Sequence, residues 1–345
     1  MATDRATKAM LAICTTILVT VAAYFGKSIL APFAFALFMV AIVWPLQRAL
    51  EKKLPQFVAL LLTLLLTIAV VVAVASMVTW ALSVERQWLI GHAARFQSIY
   101  LDWARWLEGH EIFVVGPLAE RFDVMWLVRV FQTVFGHSNT LVGFAILVFV
   151  FMMLALLETG DFQERLVAAS KRAKGPDLAQ VAEEIAAKFR KYMLVRTQMS
   201  ALTGLAVWGF ALLSGLELAP AWGIAAFVLN YIPFIGSFVA TLLPSIFAIA
   251  QFETWQDSSF VLLGMFAIQF VIGNYLEPLV AGAALSISPL AVVFAVFFFG
   301  FLWGIPGAFL GVPILIAILT ICAHYPSTRW IAILLAGKSK ETQAG

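Results

Sequence analysis

The chain has 345 residues and a formal net charge of +3, and 63% of its residues are hydrophobic whereas only 12% are charged. Soluble globular domains carry about 25% charged residues. The 22 cationic and 19 acidic side chains are therefore too few to cover a soluble surface of this size. The composition excludes a soluble enzyme, a nucleic-acid-binding protein and a disordered chain, and it predicts an all-α polytopic membrane protein.

Nine apolar runs approach or exceed the ~20 residues that a helix needs to cross the hydrocarbon of a bilayer. They are 9–26, 28–46, 57–82, 139–157, 199–215, 220–250, 259–276, 284–303 and 305–323. If the N-terminus is cytoplasmic, 16 of the 22 Lys and Arg residues fall on the cytoplasmic side, as the positive-inside rule requires. Two cytoplasmic termini need an even number of crossings. Nine runs are one too many for this, so one of them must fold back. We therefore predict about eight transmembrane helices, the first three of them within residues 1–82, and a re-entrant helical hairpin near 220–250.

The polar segments between these runs predict amphipathic helices on both membrane faces. Residues 83–138 place aromatic side chains at near-helical spacing, which is typical of helices at the outer membrane surface; they form either a packing helix or an oligomer interface or outer gate. Residues 158–198 predict a pair of cytoplasmic helices, and 326–345 a cytoplasmic tail. The basic residues of the pair mark the cytosolic face and could contact anionic lipid. They are Lys188, Arg190, Lys191 and Arg196.

Helix-breaking residues are concentrated in the last third of the chain, in the segments 230–244 and 300–313. Broken backbone at membrane depth is tolerated only where protein or water surrounds it, and broken helices expose their ends to the substrate in many secondary transporters. We therefore predict a transport core over 199–325. The predicted hinges or helix breaks are Pro233, Gly236, Pro278, Pro289, Gly304, Pro306 and Gly307. For 300–313, a tight turn between two spans is the simpler alternative.

Polar residues inside the predicted spans are the candidates for a substrate pathway. Glu277 ranks first because ionisable groups within spans are rare and usually functional or paired, and it is the candidate for proton or ion coupling. No Lys or Arg lies near it in the sequence; the alternative is that it caps or snorkels at the cytosolic end of its span. The predicted pathway comprises Asn230, Pro233, Gly236, Ser237, Gln269, Asn274, Glu277 and Ser288.

Motifs for other kinds of chemistry are missing from the sequence. His92, His110 and His137 have no metal-ligand spacing, and both cysteines lie inside apolar runs. There is no phosphate-binding loop and no hydrolase motif. We therefore expect no metal, no cofactor and no enzymatic activity.

The broken region resembles the autoinducer-2 exporter family, a family of permease-like bacterial membrane proteins. It reads GIAAFVLNYIPFIGSFVATLLP from 223 and GNYLEPLVAGAALSISPLAVVFAVFFFGFLWGIPGAFLGVP from 273. The ordered family pattern is matched at Asn230, Ile232, Pro233, Gly236, Pro244, Glu277, Pro278, Gly282, Ser288, Pro289, Trp303, Gly304, Pro306, Gly307, Val312 and Pro313. The resemblance covers nearly the whole chain.

The resemblance implies a permease in the bacterial cytoplasmic membrane that exports a small polar signalling molecule. For some members it implies sodium– or lithium–proton antiport instead, and Glu277 would then be the exchanging carboxylate. It also implies a homo-oligomer in which each subunit has its own pathway. A membrane scaffold that transports nothing is the third hypothesis, but a scaffold has no need of broken helices in the bilayer.

Overall fold

The computed structural model describes residues 2–110, 138–173, 177–281 and 287–337. Every regular element in these ranges is a helix, which confirms an all-α polytopic membrane protein. The helices are α1 (Ala2–Phe25), α2 (Lys27–Glu51), α3 (Gln56–Gly91), α4 (Ala93–Glu108), α5 (Ser138–Ala173), α6 (Leu178–Leu213), α7 (Ala219–Leu229), α8 (Ile235–Gln251), α9 (Trp255–Val271), α10 (Glu277–Ala281), α11 (Pro289–Trp303), α12 (Ile305–His324) and α13 (Arg329–Leu335). A π-helix, Ile272–Leu276, joins α9 to α10.

The described residues contain four helices that are long and apolar enough to cross a membrane. They are α2, α3, α12 and the continuous helix Trp255–Val280 that includes α9. Five shorter apolar helices cover Met10–Phe25, Val142–Glu158, Ala219–Leu229, Ile235–Gln251 and Pro289–Trp303. The predicted number of eight spans stays a prediction.

Helices α5 and α6 are longer than the predicted spans that they contain. Each has 36 residues, or about 54 Å at 1.5 Å per residue, against a hydrocarbon thickness of ~30 Å. No proline interrupts either helix, so each predicted span continues into the predicted cytoplasmic pair without a break. Asp177 caps α6, its Oδ1 accepting the backbone N–H of Ala179 at 3.0 Å.

Part of the predicted outer segment 83–138 is described. Helix α3 continues to Gly91 and α4 follows it, while residues 111–137 lie outside the described residues. The location of this segment at a membrane surface stays a prediction.

The chain divides into two compact units. We call Met1–Thr67, Val142–Leu194 and Ala281–Gly345 the terminal unit, and Ile68–Leu141 and Val195–Val280 the hairpin unit. The core of the hairpin unit is built from α3, α6, α7, α8 and α9, with Trp88, Val207, Trp222, Phe247 and Met265 among its buried residues.

In the terminal unit, α11 and α12 are joined by a tight turn at Gly304, as the simpler alternative for 300–313 predicts. Gly304 adopts φ +67°, a conformation that favours glycine. The two helices approach closely because small residues face each other: a Cβ added at Gly311 would lie 2.9 Å from the carbonyl oxygen of Ala295, and one at Gly307 would overlap that of Phe299.

Gly307→Ala is expected to lower the free energy of unfolding by roughly 1–3 kcal/mol, the usual cost of overpacking a close-packed site. The two helices must separate slightly to admit the methyl group, and thermal unfolding of the purified protein measures the loss. Gly143→Ala in α5 is the matched control, because a Cβ there meets nothing within 4 Å. If both variants unfold at the wild-type temperature, the close approach of α11 and α12 is contradicted.

Candidate functional site at the tip of the α7–α8 hairpin

Helices α7 and α8 form a helical hairpin whose turn is strained. Helix α7 has 11 residues, about 16 Å, which is too short to cross the hydrocarbon. In the turn, the N–H of Ile235 donates to the carbonyl of Pro233 at 2.7 Å, and Phe234 adopts φ +63°, ψ −57°. This is the rarer, strained class of γ-turn. Strained backbone of this kind is concentrated at functional sites.

Gly236 allows this turn to close. A Cβ at this position would overlap the carbonyl oxygen of Leu229, the last residue of α7. Because the overlapping atom belongs to the backbone, no side-chain rotation can relieve it. The structure thus places Pro233 and Gly236, both predicted as helix breaks, in and directly after the turn.

The open end of the hairpin, which we call the hairpin base, is tied together by one side chain. The amide nitrogen of Gln251 donates to the carbonyl of Gly215 at 2.7 Å, and its amide oxygen accepts the N–H of Glu217 at 2.8 Å. Trp222 of α7 donates its indole N–H to the carbonyl of Glu217 at 3.0 Å. The end of α8 is therefore fixed to the loop that leads into α7.

Helix α6 runs alongside the hairpin and contacts its tip through polar side chains. Asn230, at the end of α7, donates from Nδ2 to the hydroxyl of Ser200 at 3.3 Å. Both residues are buried, with exposures of 5% and 0%. The neighbouring Tyr231 donates its hydroxyl to Thr197 at 3.0 Å. A buried amide is stabilised by such pairing, so Ser200 of α6 stabilises the buried polar end of α7.

One turn before Ser200, Arg196 forms an ion pair with Glu277. The distance from Nη1 to Oε1 is 2.6 Å, and the side chains are 5% and 29% exposed. Arg196 is thus buried in the hairpin unit, which corrects the prediction that it could contact anionic lipid with its basic neighbours. Residues four apart share a helix face, so Glu277 and Asn230 meet the same side of α6. We call this group the tip cluster: Arg196, Thr197, Ser200, Asn230, Tyr231 and Glu277.

The π-helix before Glu277 has a local cause. Pro278 has no N–H, and in a regular α-helix its ring would clash with the carbonyl of Asn274. The wider turn removes this conflict, and the N–H of Glu277 bonds to the carbonyl of Ile272, five residues back. Single π-turns inside α-helices occur frequently at functional sites.

Comparison with known proteins agrees with the resemblance. The family model described as AI-2E family transporter matches residues 13–327. The chain belongs to the AI-2E transporter family. AI-2 transport protein TqsA of Escherichia coli (strain K12) is 28% identical over 92% of each chain. A Haemophilus influenzae protein with a provisional transport-protein name is 24% identical over 95% of this chain and 96% of its own.

Membership of the AI-2E family, together with the apolar helices, makes the chain a multi-pass bacterial membrane protein of the permease type. It acts on a small solute and lies in a lipid bilayer. The whole tip cluster lies inside the family match, so the polar contacts between α6 and the hairpin are part of an AI-2E transporter.

The predicted pathway residues divide between the two units. Asn230 and Glu277 meet on α6, while Ser237, Gln269 and Asn274 lie elsewhere in the hairpin unit. Gln269 has a buried amide nitrogen that has no partner among the described residues, and the exposed Asn274 donates to the carbonyl of Phe270. Ser288 belongs to the terminal unit, where its N–H bonds to the carbonyl of Leu335 at 2.9 Å, and Pro289 begins α11 there.

Sequence reasoning missed four members of the tip cluster: Arg196, Thr197, Ser200 and Tyr231. A signal for two of them was present. Arg196 is the last cation before residue 329, and Arg196, Ser200 and Thr203 recur at i, i+4 and i+7, the spacing of one helix face. A polar stripe at the start of an apolar run indicates that this face meets something other than lipid.

Proposed function

We propose that this protein is a secondary transporter that exports a small polar organic solute, and that the solute passes the tip cluster. The amide and hydroxyl groups there donate and accept hydrogen bonds without fixing a charge, and the charges of Arg196 and Glu277 balance. Such a lining suits a hydroxylated, uncharged or weakly acidic molecule. TqsA is named an AI-2 transport protein, which supports a signalling molecule like autoinducer-2 as the solute.

The buried contact between Asn230 and Ser200 carries this proposal. It lies where the chain leaves α7, so that backbone polar groups of the turn as well as the amide require partners. In an apolar protein, such a break is tolerated where protein or a wet pathway surrounds it. Because the chain belongs to a family of transporters, we favour the wet pathway, which would carry the solute.

We further propose that both termini are cytoplasmic, that the hairpin re-enters the membrane from outside, and that subunits assemble into a homo-oligomer in the bacterial cytoplasmic membrane. Contacts inside the terminal unit support the way this topology groups the helix ends on two opposite faces, and the positive-inside rule supports the choice of the cytoplasmic face. Trp303 donates to the carbonyl of Ala23 at 3.1 Å, which joins two turns that are both predicted to be outside. Lys188 donates to Thr320 at 3.1 Å, which joins two segments predicted at the cytoplasmic face. The homo-oligomer rests on the family resemblance.

Cation–proton antiport through Glu277 is the alternative. The exchanging carboxylate would have to bind sodium and protons in turn. Here it is held at 2.6 Å by the guanidinium group of Arg196. A sodium ion would have to displace this fixed cation, and the ion pair therefore favours solute export.

Ser200→Ala is expected to slow solute counterflow in proteoliposomes about 5-fold, because Asn230 loses a hydrogen bond that contributes roughly 1 kcal/mol. Autoinducer-2 is the solute to load. Ser214→Ala is the matched control, since that hydroxyl donates to Ala211 within its own turn. Equal counterflow rates in the two variants would show that the tip cluster is not part of the pathway. Sodium-dependent proton flux without solute counterflow would show that the protein is an antiporter and not an exporter.

A further inference from the structure

Glu85 is a buried carboxyl group that the proposed pathway does not use. It lies on α3, three residues beyond the predicted span 57–82. Its side chain is 2% exposed, and its Oε1 is buried without a hydrogen-bond partner in the described part of the chain. Glu277, the carboxyl that the sequence singled out, has Arg196 as its partner. Glu85 is thus the more unusual of the two.

Glu85 is placed beside the hairpin by the helix face that it occupies. Trp88 and Leu89, three and four residues further on, share this face and belong to the core of the hairpin unit. The ring of Trp88 stacks on Phe247 of α8 with centroids 4.6 Å apart, and Phe247 packs on Trp222 of α7 at 4.7 Å. The segment of α3 that carries Glu85 therefore packs against α8, which in turn packs on α7.

None of the charged groups that the structure describes around this contact is a fixed cation for Glu85. Glu217 accepts the indole N–H of Trp88 and, as a carboxyl group, offers no cation. His92 stacks on Trp88 and directs Nδ1 to the carbonyl of Trp88 at 2.9 Å. Helices α7 and α8 carry no titratable residue. The other charged groups described on α3, α4 and the chain around Asp257 have exposed side chains: Arg86, Arg95, Asp102, Arg105, Glu253 and Asp257. Tyr100 on α4 is half-buried, and the buried Arg196 of α6 is paired with Glu277.

An ionised carboxylate that is buried without a partner is costly, so the neutral acid is the form that fits this position. We propose that Glu85 is a reversible proton-binding site that couples protons to movement of the hairpin. The carboxyl keeps its proton while Trp88 packs on the hairpin. When this contact opens, the proton leaves to water at the hairpin base and the carboxylate becomes hydrated. The coupling role rests on the proposed transport function, whereas the proton-binding site does not.

Infrared difference spectroscopy tests the proton-binding site directly. At pH 7, the spectrum of the wild-type protein in lipid minus that of Glu85→Gln should show the carbonyl band of a protonated carboxylic acid. Glu253→Gln, which changes an exposed carboxylate at the same end of the unit, should leave this band in place. If the subtraction leaves no such band, Glu85 is ionised and the site is overturned. Glu85→Met, which is apolar and of similar length, replaces Glu85→Gln if the amide does not fold.

The pH profile of autoinducer-2 counterflow tests the coupling. Wild-type flux should depend on pH, and this dependence should be lost in Glu85→Gln but retained in His92→Gln and Glu253→Gln. Flux that keeps its pH profile in Glu85→Gln, or loses it in His92→Gln alone, overturns the coupling. If no variant and no wild-type protein carries the solute, the export proposal and the coupling fail together, and the infrared band still decides whether Glu85 binds a proton.

Discussion

Replacing Gly236 with alanine should abolish solute transport and destabilise the protein by at least ~3 kcal/mol, the upper range of overpacking costs. The added methyl group would overlap the carbonyl oxygen of Leu229. The two residues face each other across the short turn 230–234. The strained γ-turn at Phe234 leaves the backbone no room to rotate. The hairpin would have to open at its tip, and Asn230 would then leave Ser200.

Gly209→Ala is the matched control for this experiment. It lies on α6 in the same unit, and a Cβ there meets nothing within 4 Å, so the change should be neutral or stabilise by up to ~1 kcal/mol through higher helix propensity. Thermal unfolding and counterflow are measured on both variants. Wild-type transport by Gly236→Ala would mean that the tip does not have the closed geometry described above.

The break between α7 and α8 is a feature that the sequence alone predicts. Pro233 and Gly236 act on the backbone of their own turn, so their effect is local and the sequence alone predicted the break. The even number of crossings then required the run 220–250 to fold back. The same local signals do not show that a span continues beyond the membrane as one helix. Helices α5 and α6 pass through the ends of the predicted spans without a break, because neither apolar composition nor polarity stops a helix that contains no proline.

Contacts between distant residues were beyond this kind of prediction. Arg196 and Glu277 are 81 positions apart, and composition assigned the first to the cytosolic surface and left the second without a cation. The burial of Glu85 could not be predicted from the sequence either. Its neighbours Arg86 and Gln87 are exposed, so the segment looks like a solvated helix end. Burial of a polar side chain depends on which helices pack against it, and a single sequence does not encode that in a short-range pattern.

The ion pair predicts an asymmetry between its two members. Glu277→Gln should lower the free energy of unfolding by roughly 3 kcal/mol, since it leaves Arg196 buried and charged without a counter-ion. Arg196→Gln should cost about half as much, because Glu277 is 29% exposed and can recruit water. The double variant should regain most of the loss, because no unpaired charge remains in the interior.

A double-mutant cycle on thermal unfolding measures these differences, and an exposed pair provides the control. Arg105 and Asp102 form a bridge at 2.5 Å, with side chains 74% and 66% exposed. Asp102→Asn should change stability by less than ~1 kcal/mol because water already solvates both charges. Equal losses from Glu277→Gln and Asp102→Asn would show that Arg196 reaches solvent. A larger loss from Glu277→Gln, together with an unchanged pH profile of transport, would separate the two carboxyls, with Glu277 neutralising Arg196 and Glu85 exchanging the proton.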